Sequence, residues 1–443
     1  MSRLSYSELF RLALPIILAN AAVPLLGLID TAVIGQTGSA ADLGAIALAA
    51  LIFSFVYWGF GFLRMGTTGF VAQALGAKDK QELHALLFRT LLLGLSIGVA
   101  LILLQIPIEQ AATYLLKASN DVNARVRDYF YIRIWGAPAT LMTFALLGIL
   151  IGMGWTQQLL WVQLLLNGLN LILNVIFVVG MDLGVAGIAL GTVLAEWVAW
   201  LFALWLVIQK MEISHPQQRL WQLRQRIFDR IRLVALFRVN SDIMIRTLAL
   251  ITGFAWFAKQ GAQFGDHTLA ANHILLQFVS LSAFFLDGYA NVAEMLVGKA
   301  YGQRNQKQFE LAIQRSSILA AATACCLALL IFLFGNHFIP WLTKDPVVQQ
   351  VASEHVFLAA LYIACSFAAF QLDGIFIGVT YSQAMRNSTL VALACLIGLG
   401  TWWIIPYGNT GLWSAFIVYV VVRAVVLGFY YPRIWSRLLT GTH

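Results

Sequence analysis

The sequence predicts an all-α polytopic membrane protein, with twelve transmembrane helices in two pseudo-symmetric six-helix lobes around a central cleft. Three observations carry this prediction. Apolar residues make up 60% and charged residues 11% of the 443, and the mean hydropathy is +0.80, far outside the range of a soluble domain. Apolar runs of spanning length recur along the whole chain. The chain also repeats itself at half its length. FALLGILIGMGWTQQ, 144 to 158, aligns without a gap on FQLDGIFIGVTYSQA, 370 to 384, with seven identities in fifteen at an offset of 226. The same offset superposes VAQALGAKDKQELHALLFRT, 71 to 90, on VGKAYGQRNQKQFELAIQRS, 297 to 316.

In order, the first run, 10 to 34, holds Pro15, Pro24 and Asp30 and lacks a small-residue cleavage site behind it, so it reads as a retained helix. The second to sixth runs fall at 46 to 75, 83 to 106, 129 to 153, 158 to 180 and 184 to 209. Between the third and fourth, 107 to 128 reads as an outer loop of mixed charge, with Lys117, Arg125 and Arg127 beside Glu109, Asp121 and Asp128. The second half gives 232 to 258, 268 to 298, 310 to 335, 350 to 380, 387 to 406 and 410 to 432. The expected organisation is an N-terminal lobe, 1–209, a cytoplasmic amphipathic linker, 210–231, and a C-terminal lobe, 232–443. Within the linker, Pro216 precedes a basic amphipathic stretch that reads as a surface helix, with Trp221 and Phe228 toward the interface and arginines toward anionic headgroups.

The net charge of +8 does not point to nucleic acid, because its distribution follows alternate loops. Lys78 and Lys80 share one loop, Arg219, Arg224, Arg226 and Arg230 lie in the linker, and Lys299, Arg304 and Lys307, then Arg386, then Arg433 and Arg437 continue the pattern. Positive charge on the inner side places both termini and the linker in the cytoplasm of a multi-pass protein. With six helices per half, the two halves enter from the same side and form a parallel repeat. Cys325, Cys326, Cys365 and Cys395 all lie in apolar runs, where they behave as small hydrophobes and imply neither disulfides nor a metal site.

An ionisable side chain in the bilayer is costly, about 2.5–3.5 kcal/mol even on lenient insertion scales, so each one needs a reason. Asp30 falls in the outer half of the first span. The fifth span carries Gln163, Asn167, Asn170 and Asn174 at spacings that put all four on one face, and the sixth carries Thr192 two turns from Gly184. A carboxyl ringed by amides and a hydroxyl, with no cation expected near it, suits a proton-binding site. Burial favours the neutral form of a carboxyl, and amides can bond either form. The same oxygens also suit a sodium ion, and a third reading has these residues only knitting helices together. In the second half Asp242, Arg246, Asp287 and Asp373 form a polar network expected on the cytoplasmic side, which Arg64 and Arg423 can join; it reads equally as an ion-paired latch or as a part of coupling or substrate release. Asp373 occupies the repeat position of Leu147, and Asp30 has Phe257 or a neighbour opposite. Pro15 and Pro24 allow the first helix to bend on either side of Asp30. Tyr57, Phe60, Met65, Phe144, Phe254, Trp256 and Phe284 are expected near an apolar, adaptable cavity.

Four stretches carry a family resemblance: LGLIDTAVIGQTG, 25 to 38; NLILNVIFVVG, 170 to 180, with GVAGIALGTVLAE, 184 to 196; LAANHILLQF with FLDGYANVAEMLVGKAYG; and LDGIFIG, 372 to 378. With them the chain resembles, end to end, the multidrug and toxic compound extrusion (MATE) transporters of the DinF-like branch. The resemblance implies two lobes forming a V-shaped cleft and the export of amphipathic, often cationic compounds in exchange for protons or sodium. It gives Asp30 the role of the helix 1 aspartate, with Asn170 and Thr192 as its polar companions and Pro15 as the bending proline. Asn174 stands where many members have a second aspartate, and Arg246 where some relatives carry a glutamate; both departures favour protons. No cofactor, resident metal or catalytic residue is implied. The expected setting is a monomer in a bacterial inner membrane, driven by the proton gradient, with sodium coupling and lipid-linked sugar flipping as alternatives. A flippase would line its cleft with arginines for pyrophosphate, of which Arg64 and Arg246 are the few candidates. An enzyme would need a nucleophile and base or a metal cluster, and no HExxH occurs.

Overall fold

A computed structural model describes residues 5–37, 39–116 and 120–440. Lys117 lies outside the described residues, as do the side chains of Arg437 and of much of the 25–38 stretch. Every regular element among the described residues is helical. The first half contains α1 (Tyr6–Thr37), α2 (Ala40–Gly59), α3 (Phe62–Gly76), α4 (Lys80–Leu103), α5 (Gln105–Leu116), α6 (Asn120–Arg133), α7 (Ala137–Gly152), α8 (Thr156–Asn174) and α9 (Gly184–Lys210). Two short helices follow, α10 (Pro216–Gln222) and α11 (Arg224–Ile227). The second half contains α12 (Arg230–Ala262), α13 (Asp266–Gly302), α14 (Gln306–Leu342), α15 (Pro346–Gly378) and α16 (Ser382–Thr440), the last broken at Gly408. Nine helical stretches among the described residues are long and apolar enough to cross a membrane.

Two expectations are corrected. The outer loop at 107–128 is mostly helix, α5 and the start of α6, in which Arg127 pairs with Glu109 at 3.1 Å and Arg125 pairs with Asp42. The linker is not one surface helix. Leu223 interrupts it, and Leu223 and Ile227 are buried against Ala85 of α4. Arg89 of α4 donates to the carbonyls of Ile227 (3.1 Å) and Arg226 (2.8 Å). Arg226 pairs with Asp79, Arg232 with Glu82, and Arg219 donates to His84 Nδ1 at 3.0 Å. The orphan carbonyls of a helix end thus find cationic partners, while Trp221 and Phe228 stay exposed.

The described chain divides into two compact units, one of Leu18–Val71 and Asp79–Leu236, the other of Met1–Ile17, Ala72–Lys78 and Phe237–His443. In the first, α7 is almost wholly buried. In the second, Tyr362, Phe416 and Tyr419 stack at 4.6 and 5.9 Å beside Trp413 and Phe257, within a core drawn from α12 to α16. The start of α1 packs there too, with Leu9, Ala13, Ile16 and Ile17 against Tyr289, Val292 and Met295.

The 226-residue repeat is written into the backbone. Positive φ angles at Lys78 (φ 57), Gly154 (φ 76) and Asp182 (φ 52) recur at Arg304 (φ 53), Thr380 (φ 55) and Gly408 (φ 53), each 226 residues on. The side chains capping α4 and α14, Asp79 and Asn305, are likewise 226 apart and accept from Glu82 N at 3.0 Å and Gln308 N at 3.1 Å. Two glycines four residues apart on α7 meet backbone, since a Cβ on Gly148 or Gly152 would strike the carbonyls of Arg64 and Thr68. In the other unit Gly374 and Gly378 meet the carbonyls of Ala290 and Glu294, the same positions one repeat later. Small residues at such spacing let apolar helices approach to backbone distance, where dispersion substitutes for the hydrophobic effect that lipid does not supply.

Candidate coupling site

The first unit joins four of the six polar residues singled out on its first, fifth and sixth spans, Asp30, Asn170, Asn174 and Thr192. Gln163, Asn167, Asn170 and Asn174 are all buried on one face of α8, as the i, i+4, i+7 spacing requires. Asn174 Nδ2 donates to Asp30 Oδ1 at 2.7 Å and to Asn170 Oδ1 at 3.2 Å. Asn170 Nδ2 donates to Thr192 Oγ1 at 2.9 Å, and that hydroxyl donates to the carbonyl of Ile188 at 2.8 Å. The result is one continuous chain across α1, α8 and α9, with Asp30 only 7% exposed. Thr192 satisfies its own proton within α9, which leaves its oxygen to accept from α8.

Local backbone explains the fit. Directly after Asn174, α8 changes to a π-helical turn, Val175–Gly180, a departure frequent at functional sites. On α9, Gly191 faces the Asn174 amide, and a Cβ there would run into Asn174 Oδ1. That oxygen is buried and makes no hydrogen bond of normal geometry, so the carboxylate meets N–H donors and not amide oxygens. A cavity of about 290 Å3 is lined by Ile34, one turn along α1 from Asp30, and by Asp42, Arg125, Asp128 and Asp182.

The expectation that no cation stands near Asp30 is overturned. Arg133 at the end of α6 lies within electrostatic reach of it, together with Glu196 of α9. The two are buried and bidentate, Nη1 to Oε2 at 2.6 Å and Nη2 to Oε1 at 2.5 Å. The guanidinium carbon sits over the rings of Phe53 (5.1 Å) and Tyr57 (5.5 Å). The signal was present in the sequence, since each charge lies inside an apolar run of spanning length. It was missed because Arg133 falls near the start of its run and Glu196 is the last residue of a motif read for its glycines.

In the second unit, Asp373 is held by Arg246 and by Arg423, the latter at 2.6 Å. Asp242 accepts from Arg386 Nη1 at 2.6 Å and Ser382 Oγ at 2.9 Å, and Asp287 accepts from Asn291 Nδ2 at 3.3 Å. The i, i+4 neighbours Asp242 and Arg246 therefore reach different partners. Pro15 is buried and α1 runs unbroken through it and Pro24. Of the aromatics expected at a cavity, Tyr57 packs on Arg133, Phe254 on Phe416 at 5.2 Å, and Trp256 against Gly400.

The MatE family profile matches twice, over residues 15–176 and 248–402, one match in each half. The chain is 36% identical to DNA damage-inducible protein F of Escherichia coli over 436 residues, covering 98% of this chain and 93% of that protein. It is 26% identical to the multidrug resistance protein NorM of Vibrio cholerae, covering 95% and 94%. Its fold superposes on a crystal structure of a MATE in the bent conformation with a TM-score of 0.88 at 21% identity, covering 98% and 96% of the two chains. On the strength of both profile matches and the near full-length identity, this chain belongs to the MATE family of membrane transporters, on its DinF-like branch.

Proposed function

We propose that this protein is a proton-coupled antiporter that exports amphipathic and cationic compounds across a bacterial inner membrane, with Asp30 as the coupling carboxylate. In this reading the chain crosses the bilayer twelve times, six times in each of the two lobes expected at 1–209 and 232–443, with both termini cytoplasmic and a monomer as the working unit. The single observation that carries it is the chain Asp30–Asn174–Asn170–Thr192, a buried carboxylate set against amide N–H donors. An amide rotated by half a turn offers Oδ1 in place of Nδ2, so Asn174 can bond Asp30 whether ionised or protonated. A metal ion has no use for donors, and the nearby guanidinium of Arg133 adds to its disadvantage. The acidic lining of the cavity at Ile34 raises local cation concentration and supports delivery of protons from outside. The drug-resistance function named for NorM supports the substrate class.

The working cycle is alternating access. A proton entering from outside neutralises Asp30, α1 bends near Pro15, and cargo leaves outward, the pH gradient shifting the population between conformations. The Asp373 cluster, held by two guanidiniums, supports a latching role in the second half.

The test is proton flux elicited by lipophilic cations in everted vesicles, comparing wild type with Asp30→Asn, with and without sodium. Wild type is expected to exchange protons without sodium, and Asp30→Asn to lose about 90% or more of the flux, a tenfold loss being about 1.4 kcal/mol of coupling. Undiminished flux in the variant, or flux that needs a sodium gradient, defeats the proposal.

A further inference from the structure

The Arg133–Glu196 pair has no part in the coupling chain as drawn, yet it lies within electrostatic reach of Asp30. Glu196 lies one turn beyond Thr192 on α9, on the same face. Arg133 comes from α6, and Gly136 makes room for the pair, since a Cβ there would collide with Glu196 Oε2. Asn174 and Asn170 on α8 and Thr192 on α9 form the hydrogen-bonded chain to Asp30, and Arg133 and Tyr129 on α6 and Glu196 on α9 lie within electrostatic reach of it, with Tyr57 of α2 against the guanidinium. Two carboxylates share one fixed positive charge. Around it, the hydroxyls of Tyr57 and Thr140 and Oδ1 of Asn174 are buried without a hydrogen bond of normal geometry. A helix latch does not require this arrangement, because an apolar pair of equal volume is often as stabilising as a buried ion pair. Carboxylate, amide and hydroxyl oxygens are, however, the ligands a hard monovalent cation selects.

We propose that Arg133, clamped by Glu196 one turn beyond Thr192, is a tethered cation that supplies near Asp30 the positive charge a metal ion would bring, and is the residue that makes Asp30 exchange protons and not sodium. The inference rests on the reading of Asp30 as the coupling residue. With Arg133 present the pocket carries one uncompensated negative charge, which one proton neutralises. Without it, two buried carboxylates remain with no fixed positive charge between them, beside amide and hydroxyl oxygens that a hard monovalent cation accepts as ligands. Arg133 is thus a positioning and specificity residue.

The experiment uses the full chain in everted vesicles, with ethidium as the exported cation and choline or sodium chloride outside. Wild type, Asp30→Asn, Arg133→Met, Arg133→Lys and Glu196→Gln are compared over a range of pH, each purified and checked for a single cooperative thermal transition. Arg133→Met is expected to become sodium-dependent in transport, and its unfolding midpoint to rise with sodium chloride but not with choline chloride. Arg133→Lys, which keeps the charge, is expected to remain indifferent to sodium. Glu196→Gln leaves Arg133 uncompensated within reach of Asp30, so its pH profile of proton-driven export is expected to move toward acid. A folded Arg133→Met that ignores sodium overturns the inference. If that variant does not fold, an unmoved pH profile in Glu196→Gln overturns it instead, since the guanidinium charge would then not be felt at Asp30. Failure of the underlying reading is separately visible, as flux that survives Asp30→Asn.

Discussion

At the scale of residues, the pocket depends on how an amide is held. Asn174 makes both of its Nδ2 hydrogen bonds with partners on other turns and other helices, and Gly191 is the position that lets its oxygen sit undisturbed. Gly191→Ala is therefore expected to lower proton-coupled flux about tenfold while costing only about 1 kcal/mol of stability, measured as flux in vesicles against thermal unfolding in detergent. An equal loss of both would instead mark a general packing defect. The sequence made Asp30, Asn170, Asn174 and Thr192 legible because periodicity and membrane depth bring them to one level. It left Gly191 unread, because a glycine among GVAGIALG carries no sign of which neighbour needs the space.

At the scale of elements, the crossings of apolar helices rest on small residues that repeat. Gly148 and Gly152 on α7 approach α3 in one unit, and Gly374 and Gly378 on α15 approach α13 in the other. Replacing Gly148 by leucine is expected to destabilise the fold by about 1–3 kcal/mol through overpacking, and Gly374→Leu by a similar amount, read as paired losses in thermal midpoint. The segment after α9 makes a different prediction. Arg89 ties the carbonyls of Arg226 and Ile227 to α4, so Arg89→Ala is expected to speed tryptic cleavage after Arg224 and Arg226 about tenfold as local opening becomes easier. Hydropathy located most of these helices to within a few residues. It could not foresee α5 and α6 in a polar stretch, because helical packing there is stabilised by ion pairs such as Arg127–Glu109 whose partners lie eighteen residues apart. Nor could it foresee that the amphipathic stretch breaks at Leu223, where burial against Ala85 decides the backbone.

At the scale of the whole molecule, duplication was legible from two ungapped segments, and the structure extends it to turns whose residues differ. Lys78 and Arg304, Gly154 and Thr380, and Asp182 and Gly408 share a positive φ with little common chemistry. Non-glycine residues bear a cost there of order 1 kcal/mol. Asp182→Gly is accordingly expected to be neutral or to raise the unfolding midpoint slightly, whereas Gly408→Val is expected to lower it. The polar residues of the pocket do not share in the duplication. At the repeat positions of Asp30 and Asn174 stand Trp256 and Gly400, and the ring of Trp256 fills the space in which a Cβ on Gly400 would lie. Asn170 answers to Leu396, which is fully buried in the apolar core of the second unit.

The exchange of Asp30 and Asn174 for Trp256 and Gly400 gives this polypeptide an internal control. A comparison ordinarily drawn between a wild type and a pocket-deleted relative already exists inside one chain, folded under the same conditions and at the same concentration. Any probe that reports on both positions, such as a label placed at matching sites 226 residues apart, would read the response of a titratable scaffold beside that of the same scaffold made inert. The difference between the two signals would isolate the contribution of the Asp30 carboxyl.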